Sequence, residues 1–133
     1  MTVAAVAPME DKRLRVVIAE NHSDLSEVME RLIDAEPDMQ CVGRTASAEE
    51  VLSKVRESSA DALVLDLTLR EGSSGLQLID RLMSELPDLR IVVYSGLERT
   101  EEAARECRRR GAADFVSKGA DFNVLLGALR KTA

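Results

Sequence analysis

Aromatic side chains are scarce in this sequence, which holds no tryptophan, one tyrosine and two phenylalanines. So little ring surface leaves a flavin almost nothing to stack against. Cysteine is scarce too. Cys41 and Cys107 stand far apart and in no metal-type spacing, which argues against a disulfide framework or a zinc site and fits a reducing cytosol. Positive charge is not in excess: 18 Lys and Arg face 24 Asp and Glu, for a net charge of -6. Generic nucleic-acid binding, which depends on clustered basic residues, is therefore not expected. No apolar stretch approaches the roughly 18 uninterrupted residues that mark a membrane-spanning helix. The short apolar run Val3 to Ala7 has no basic region before it and stops at Pro8, ahead of Glu10-Asp11-Lys12-Arg13. It does not read as a secretory signal, and residues 1–13 are expected to form a flexible tail. What the chain does contain is 45% hydrophobic residues over 133 positions, enough for one core and one domain.

The apolar residues alternate between two periods. Leu14 to Ala19 is a β-branched run that stops abruptly at Glu20-Asn21-His22, as a buried strand does when it delivers polar groups at its end. Leu25, Val28, Met29, Leu32 and Ile33 then recur at helical spacing until Pro37, with Ser23 or Asp24 as N-cap. Met39 to Val42 predicts a short second strand closed by Gly43, and Ser47-Ala48-Glu49-Glu50 has the form of a capping box opening a helix through Val51, Leu52 and Val55. Ala62 to Leu65 is a third buried run ending at Asp66. After a loop from Thr68 to Gly75, the set Leu76, Ile79, Leu82, Met83 and Leu86 predicts a helix stopped by Pro87. Ile91 to Tyr94 predicts a fourth strand ending at Ser95-Gly96. Thr100 then caps a helix carrying Ala103, Ala104 and Cys107 up to Gly111, and Phe115-Val116 is a short fifth strand leading to Lys118. Asp121 caps a last helix with Val124, Leu125, Ala128 and Leu129 on its apolar side. Five strand–helix units in series predict an α/β fold: a doubly wound, five-stranded parallel sheet with helices on both faces.

In such open sheets, ligands bind outside the carboxyl ends of the strands. Those ends carry Glu20 and Asn21, then Asp66, then Ser95, then Lys118. In that order they resemble the receiver domain of bacterial two-component response regulators, a CheY-like, flavodoxin-like architecture. Receivers carry an acidic pair after the first strand, an Asp after the third, a Ser or Thr after the fourth and a Lys after the fifth. Val64-Leu65-Asp66-Leu67 is similar to the phosphoacceptor strand, and Gly75-Leu76 to the opening of the helix that follows it. The stretch Gly111-Ala112-Ala113-Asp114-Phe115-Val116-Ser117-Lys118 is similar to the approach to the lysine. The resemblance covers residues 14 to 131.

The resemblance implies that Asp66 is the phosphoacceptor, loaded by a histidine kinase or phosphotransfer protein. It implies Mg²⁺ held by Glu20, Asp66 and the carbonyl of Thr68, with Asn21 as a weaker contributor through water. Ser95 and Lys118 would bind phosphate oxygens. The residue chemistry agrees, because a carboxylate attacking an already anionic phosphorus needs positive charge nearby, and magnesium takes oxygen ligands. A receiver is a signalling domain rather than an enzyme, although it promotes its own phosphorylation and slow dephosphorylation. Its switch would be Ser95 with Phe115, altering the face made by the fourth helix, fifth strand and fifth helix. That face would meet a downstream protein or output domain, or a second copy in a homodimer. Arg105, Arg108, Arg109 and Arg110 lie on or near it, as a solvated stripe or a docking patch. A cytoplasmic setting follows. His22, the only histidine, stands where related receivers often carry one of no catalytic duty.

Several positions depart from the family pattern. Asn21 replaces the second acid after the first strand, which removes a negative charge from the cation site and weakens it. Arg70 stands where many receivers have proline, with Glu71 beside it, and Gly119 follows the lysine where proline is common. Thr68 and Leu97 border the approach of water to the phosphorus, and neither can orient an attacking water, which implies slow autodephosphorylation. Two rival readings remain. A degenerate receiver, acting as an interaction module without phosphorylation, is favoured by Asn21 and opposed by Asp66, Ser95 and Lys118. A flavodoxin-like cofactor carrier would need a phosphate-cradling loop, whereas Glu20 to Asp24 is acidic and free of glycine.

Overall fold

A computed structural model describes residues 12–69, 74–96 and 100–131. Arg70, Glu71, Leu97, the capping role expected of Thr100 and most of the expected N-terminal tail lie outside them. The elements run β1 (Leu14–Ala19), α1 (Ser23–Asp34), β2 (Met39–Thr45), α2 (Ala48–Ser58), β3 (Ala62–Leu65), α3 (Gly75–Glu85), β4 (Arg90–Ser95), α4 (Thr100–Arg109), β5 (Asp114–Ser117) and α5 (Phe122–Arg130). The strands are parallel in the order β2-β1-β3-β4-β5, so the chain leaves β1 to one side for β2 and returns on the other for β3. This is the switch point at which open sheets bind ligands. It is the α/β fold that the alternating periods predict.

Alternation along each strand divides the core in two. Val17, Ala19, Leu63, Leu65, Ile91 and Val93 face α2, α3 and α4, while Val16, Ile18, Val64, Val92 and Tyr94 face α1 and α5. Both faces are covered, which is why the strands read as continuous apolar runs rather than as an apolar–polar alternation. Among the described residues, no helix is long and apolar enough to cross a membrane.

Local differences from the sequence reading have identifiable causes. Strand β2 does not stop at Gly43: a bulge at Val42 shifts the register, so that Val16 pairs with Cys41 and Val17 with Gly43, and pairing continues to Thr45. Helix α1 is preceded by His22 at its N-cap, without a side-chain cap, and Ser23 and Asp24 form its first turn. At α2, Ser47 accepts from Glu49 N–H, but Glu50 takes the Thr45 hydroxyl (2.8 Å) instead of closing a capping box. The complete box is at α3, between Ser74 and Gln77. Val28, Leu32 and Val124, expected on apolar faces, are 49%, 41% and 52% exposed. Each helix buries only a narrow stripe against the sheet, and Met29, Ile33, Leu125 and Leu126 occupy it.

Candidate functional site

The site forms where β1, β3, β4 and β5 end together. Continuation of β2 past its bulge allows Glu20 N–H to donate to Thr45 O (3.0 Å), and Asp66 N–H donates to Ala19 O (2.9 Å). Both carboxylates are thereby held at the sheet edge, each only 2% exposed. Ser95 is the last residue of β4 and is buried; its carbonyl accepts from Lys118 N–H at 2.9 Å, which fixes the lysine backbone beside it.

Lys118 Nζ lies 3.0 Å from Glu20 Oε2 and 3.4 Å from Asp66 Oδ2. Asp66 receives more than that one contact. Its Oδ1 accepts from the backbone N–H (2.9 Å) and the hydroxyl (2.8 Å) of Thr68, and its Oδ2 from Asn21 N–H (3.2 Å). Burial is the largest single influence on this carboxyl and pushes its pKa up. The two Thr68 bonds, the Asn21 N–H and the charge of Lys118 together outweigh burial and hold it below the ordinary aspartate value. Asp66 is therefore held as an anion at neutral pH.

Glu20 behaves differently. Its Oε2 accepts from His22 N–H (3.1 Å) and from Lys118, whereas its Oε1 is buried without a hydrogen-bond partner. A buried carboxylate oxygen left in that state is costly unless a cation or a water completes it. Glu20, His22 and Asp66 each place one ligand atom within 4.8 Å of the others, a grouping able to hold a metal ion. The donor set therefore fits a divalent cation.

Of the residues singled out by sequence, Lys118 contacts both Glu20 and Asp66, and Asn21 and Thr68 touch Asp66. Ser95 stands at the same edge. Phe115 is half-buried and packs on the α2, α3 and α4 side of the core. The arginine stripe of α4 is largely engaged within the molecule: Arg108 pairs with Asp114, Arg109 with Glu106, and Arg110 with Glu106 and Asp80. Sequence reading missed two neighbours of the site. His22 Nδ1 sits 3.1 Å from Glu20 Oε2, a contact signalled only by their two-residue separation at the end of β1. Tyr94, read as core, also lies with its ring centroid 6.0 Å from the Lys118 ammonium.

The family described as the response regulator receiver domain matches residues 16–130. The chain belongs to this family. Its relatives include the oxygen regulatory protein NreC of Staphylococcus carnosus (strain TM300), 27% identical over 88% of this chain and 54% of that protein. NreC of Staphylococcus haemolyticus (strain JCSC1435) is 28% identical over the same shares. Among solved structures, a two-component response regulator of the LuxR family from Aurantimonas sp. SI85-9A1 superposes with a TM-score of 0.78 at 26% identity, over 86% of this chain and 80% of that one. The response regulator domain of Thermotoga maritima CheB gives 0.74 at 25% identity, over 87% and 88%. The chain spans about half the length of the curated relatives it matches. It is a receiver domain of the kind found in two-component response regulators, a signalling class in which phosphorylation and an acidic Mg²⁺ pocket are general. The comparisons lend no support to a degenerate receiver.

Proposed function

We propose that this receiver accepts a phosphoryl group on Asp66 from a histidine kinase or phosphotransfer protein and signals through the face of α4, β5 and α5. The observation that carries the reading is Lys118, whose ammonium bridges Glu20 and Asp66 from residues 98 and 52 positions away. Three strand ends are thus joined by one charge. Glu20, Asp66 and the Thr68 carbonyl would hold the divalent cation, with Asn21 assisting through water, and the cation when bound supplies charge that offsets repulsion between the carboxylate and the incoming phosphoryl oxygens. An Asp66 oxygen attacks the phosphorus in line with the leaving group, so a carboxyl O–P bond forms as the donor's bond to phosphorus breaks. Lys118 moves from the carboxylate to a phosphate oxygen, and the Ser95 hydroxyl donates to another. Movement at Ser95, read through Phe115, alters the adjoining face for a downstream protein, an output domain or a second copy. The setting is cytoplasmic.

Incubation with Mg²⁺ and acetyl phosphate, followed by intact mass, tests this. Wild type should gain one phosphoryl group and Asp66→Asn none. A wild type that gains nothing at millimolar Mg²⁺, or a variant that gains as much, would overturn the assignment and leave the degenerate reading in its place.

A further inference from the structure

The receiver pattern gives His22 no task, yet it is one of the three residues able to enclose a cation. Its ring is 69% exposed, and its Nδ1 is 3.1 Å from Glu20 Oε2. We propose that the cation site is a mixed oxygen–nitrogen site in which His22 Nδ1 joins Glu20 and Asp66, so that it selects a first-row transition divalent ion, with Mn²⁺ as the probe, over Mg²⁺. This inference rests on the reading of the Asp66 pocket as a cation site.

Geometry is the first support. Two ligands about 2.1 Å from a metal and at right angles are about 3.0 Å apart, and opposite ligands are about 4.2 Å apart. The His22 to Glu20 spacing of 3.1 Å already matches an octahedral edge. The widest separation in the cluster, 4.8 Å, must close by only about half an ångström to meet the opposite-ligand distance.

Unmet acceptor capacity is the second. Lys118 and His22 N–H both use Glu20 Oε2, and Oε1 lies buried with no partner at all. A cation bound by both Glu20 oxygens, through Oε2 beside His22 and through Oε1, would give it one.

Donor type is the third. With Asn21 in place of a second acid, two carboxylates remain, and the adjacent residue is an imidazole. In the tautomer that carries its proton on Nε2, the neutral ring offers a lone pair at Nδ1, so a metal bound there replaces the Nδ1–H···Oε2 hydrogen bond to Glu20. Magnesium, a hard ion reluctant to dehydrate, gains little from that lone pair, whereas among first-row transition ions imidazole suits the later ones best and Mn²⁺ least. The loss of charge at position 21 thus penalises both kinds of ion, and His22 compensates only one.

Electron spin-echo spectroscopy of the Mn²⁺-loaded protein tests this. Wild type should show modulation from a directly bound ¹⁴N, absent in His22→Ala. Displacing half the Mn²⁺ should need at least about a tenfold excess of Mg²⁺ in wild type and less than about threefold in the variant, as expected when one nitrogen ligand sets the preference. Mn²⁺ bound without nitrogen modulation, or equal competition ratios in the two proteins, would overturn the inference. If wild type still gains a phosphoryl group in Mg²⁺, the Asp66 assignment stands without it. Failure to bind either cation, together with failure to accept a phosphoryl group, overturns both.

Discussion

At the scale of single residues, Asp66 combines two requirements that oppose each other, burial and full ionisation. Thr68 is central to the balance because it donates twice to one oxygen. Thr68→Val keeps the backbone donor and deletes the hydroxyl, so the Asp66 carboxyl should move up toward the ordinary aspartate range; a ¹³C NMR titration reads this, and an unchanged midpoint would show that the hydroxyl is not bonded in solution. Asn21→Asp restores a carboxylate beside the cation site and should tighten Mg²⁺ by more than about fivefold, roughly 1 kcal/mol, in a calorimetric titration. Equal or weaker binding would mean that the residue 21 side chain does not face the ion. Glu20, Asp66, Ser95 and Lys118 were legible from sequence because the ends of apolar runs in a parallel sheet must converge on one edge. The pairing within the group was not legible. Lys118, expected on phosphate oxygens, lies nearer Glu20 than Asp66, and His22 was set aside, because strand spacing gives the edge a residue occupies but not the rotamer it adopts there.

Elements position these residues through close backbone approaches as much as through burial. Gly75 opens α3 directly beneath the loop that follows Asp66: a Cβ there would stand 2.8 Å from Leu67 Cα and 2.9 Å from its carbonyl oxygen. Gly75→Ala should therefore cost about 1–3 kcal/mol by overpacking. Because Leu67 lies between Asp66 and Thr68, the same change should also weaken Mg²⁺ binding by at least about threefold, or roughly 0.7 kcal/mol. Gly127 in α5 is the control, since a Cβ meets nothing within 4 Å; Gly127→Ala should gain about 0.5–1 kcal/mol from helix propensity. Urea denaturation of both variants checks the pair, and equal stabilities would show that the contact at Leu67 relaxes freely. Every element was legible from the alternation of periods, but the helix faces were legible only in part. Val28 and Leu32 continue the apolar spacing of α1 and remain exposed, because period alone does not say how wide a stripe the sheet will cover.

Over the whole molecule, the acidic side chains determine how stability depends on pH. Arg130 holds Asp38 below its ordinary value, Arg56 does the same for Glu85, and Arg109 for Glu106. For Asp114, as for Asp66, burial is the largest influence and raises the carboxyl, but hydrogen bonds outweigh it and the result is again lowered. In the unfolded chain these groups return to values near 4. A group whose folded pKa is depressed binds protons more readily when unfolded, so its stabilisation is fully present above the unfolded pKa and disappears as pH falls through the folded one. Stability should therefore be level from neutral pH to about pH 5 and fall below about pH 4. The exposed pairs of Asp38, Glu85 and Glu106 are open to screening by salt, whereas Asp66, 2% exposed, is not. Thermal denaturation between pH 7 and pH 3, at low and at high salt, separates the two contributions: salt should flatten part of the acid limb, and Asp66→Asn should remove a further part that salt leaves intact. A limb identical in the variant would mean that the hydrogen bonds around Asp66 are as strong in its protonated form, and the ionised, prepared carboxylate on which phosphoryl acceptance depends would lose its physical basis.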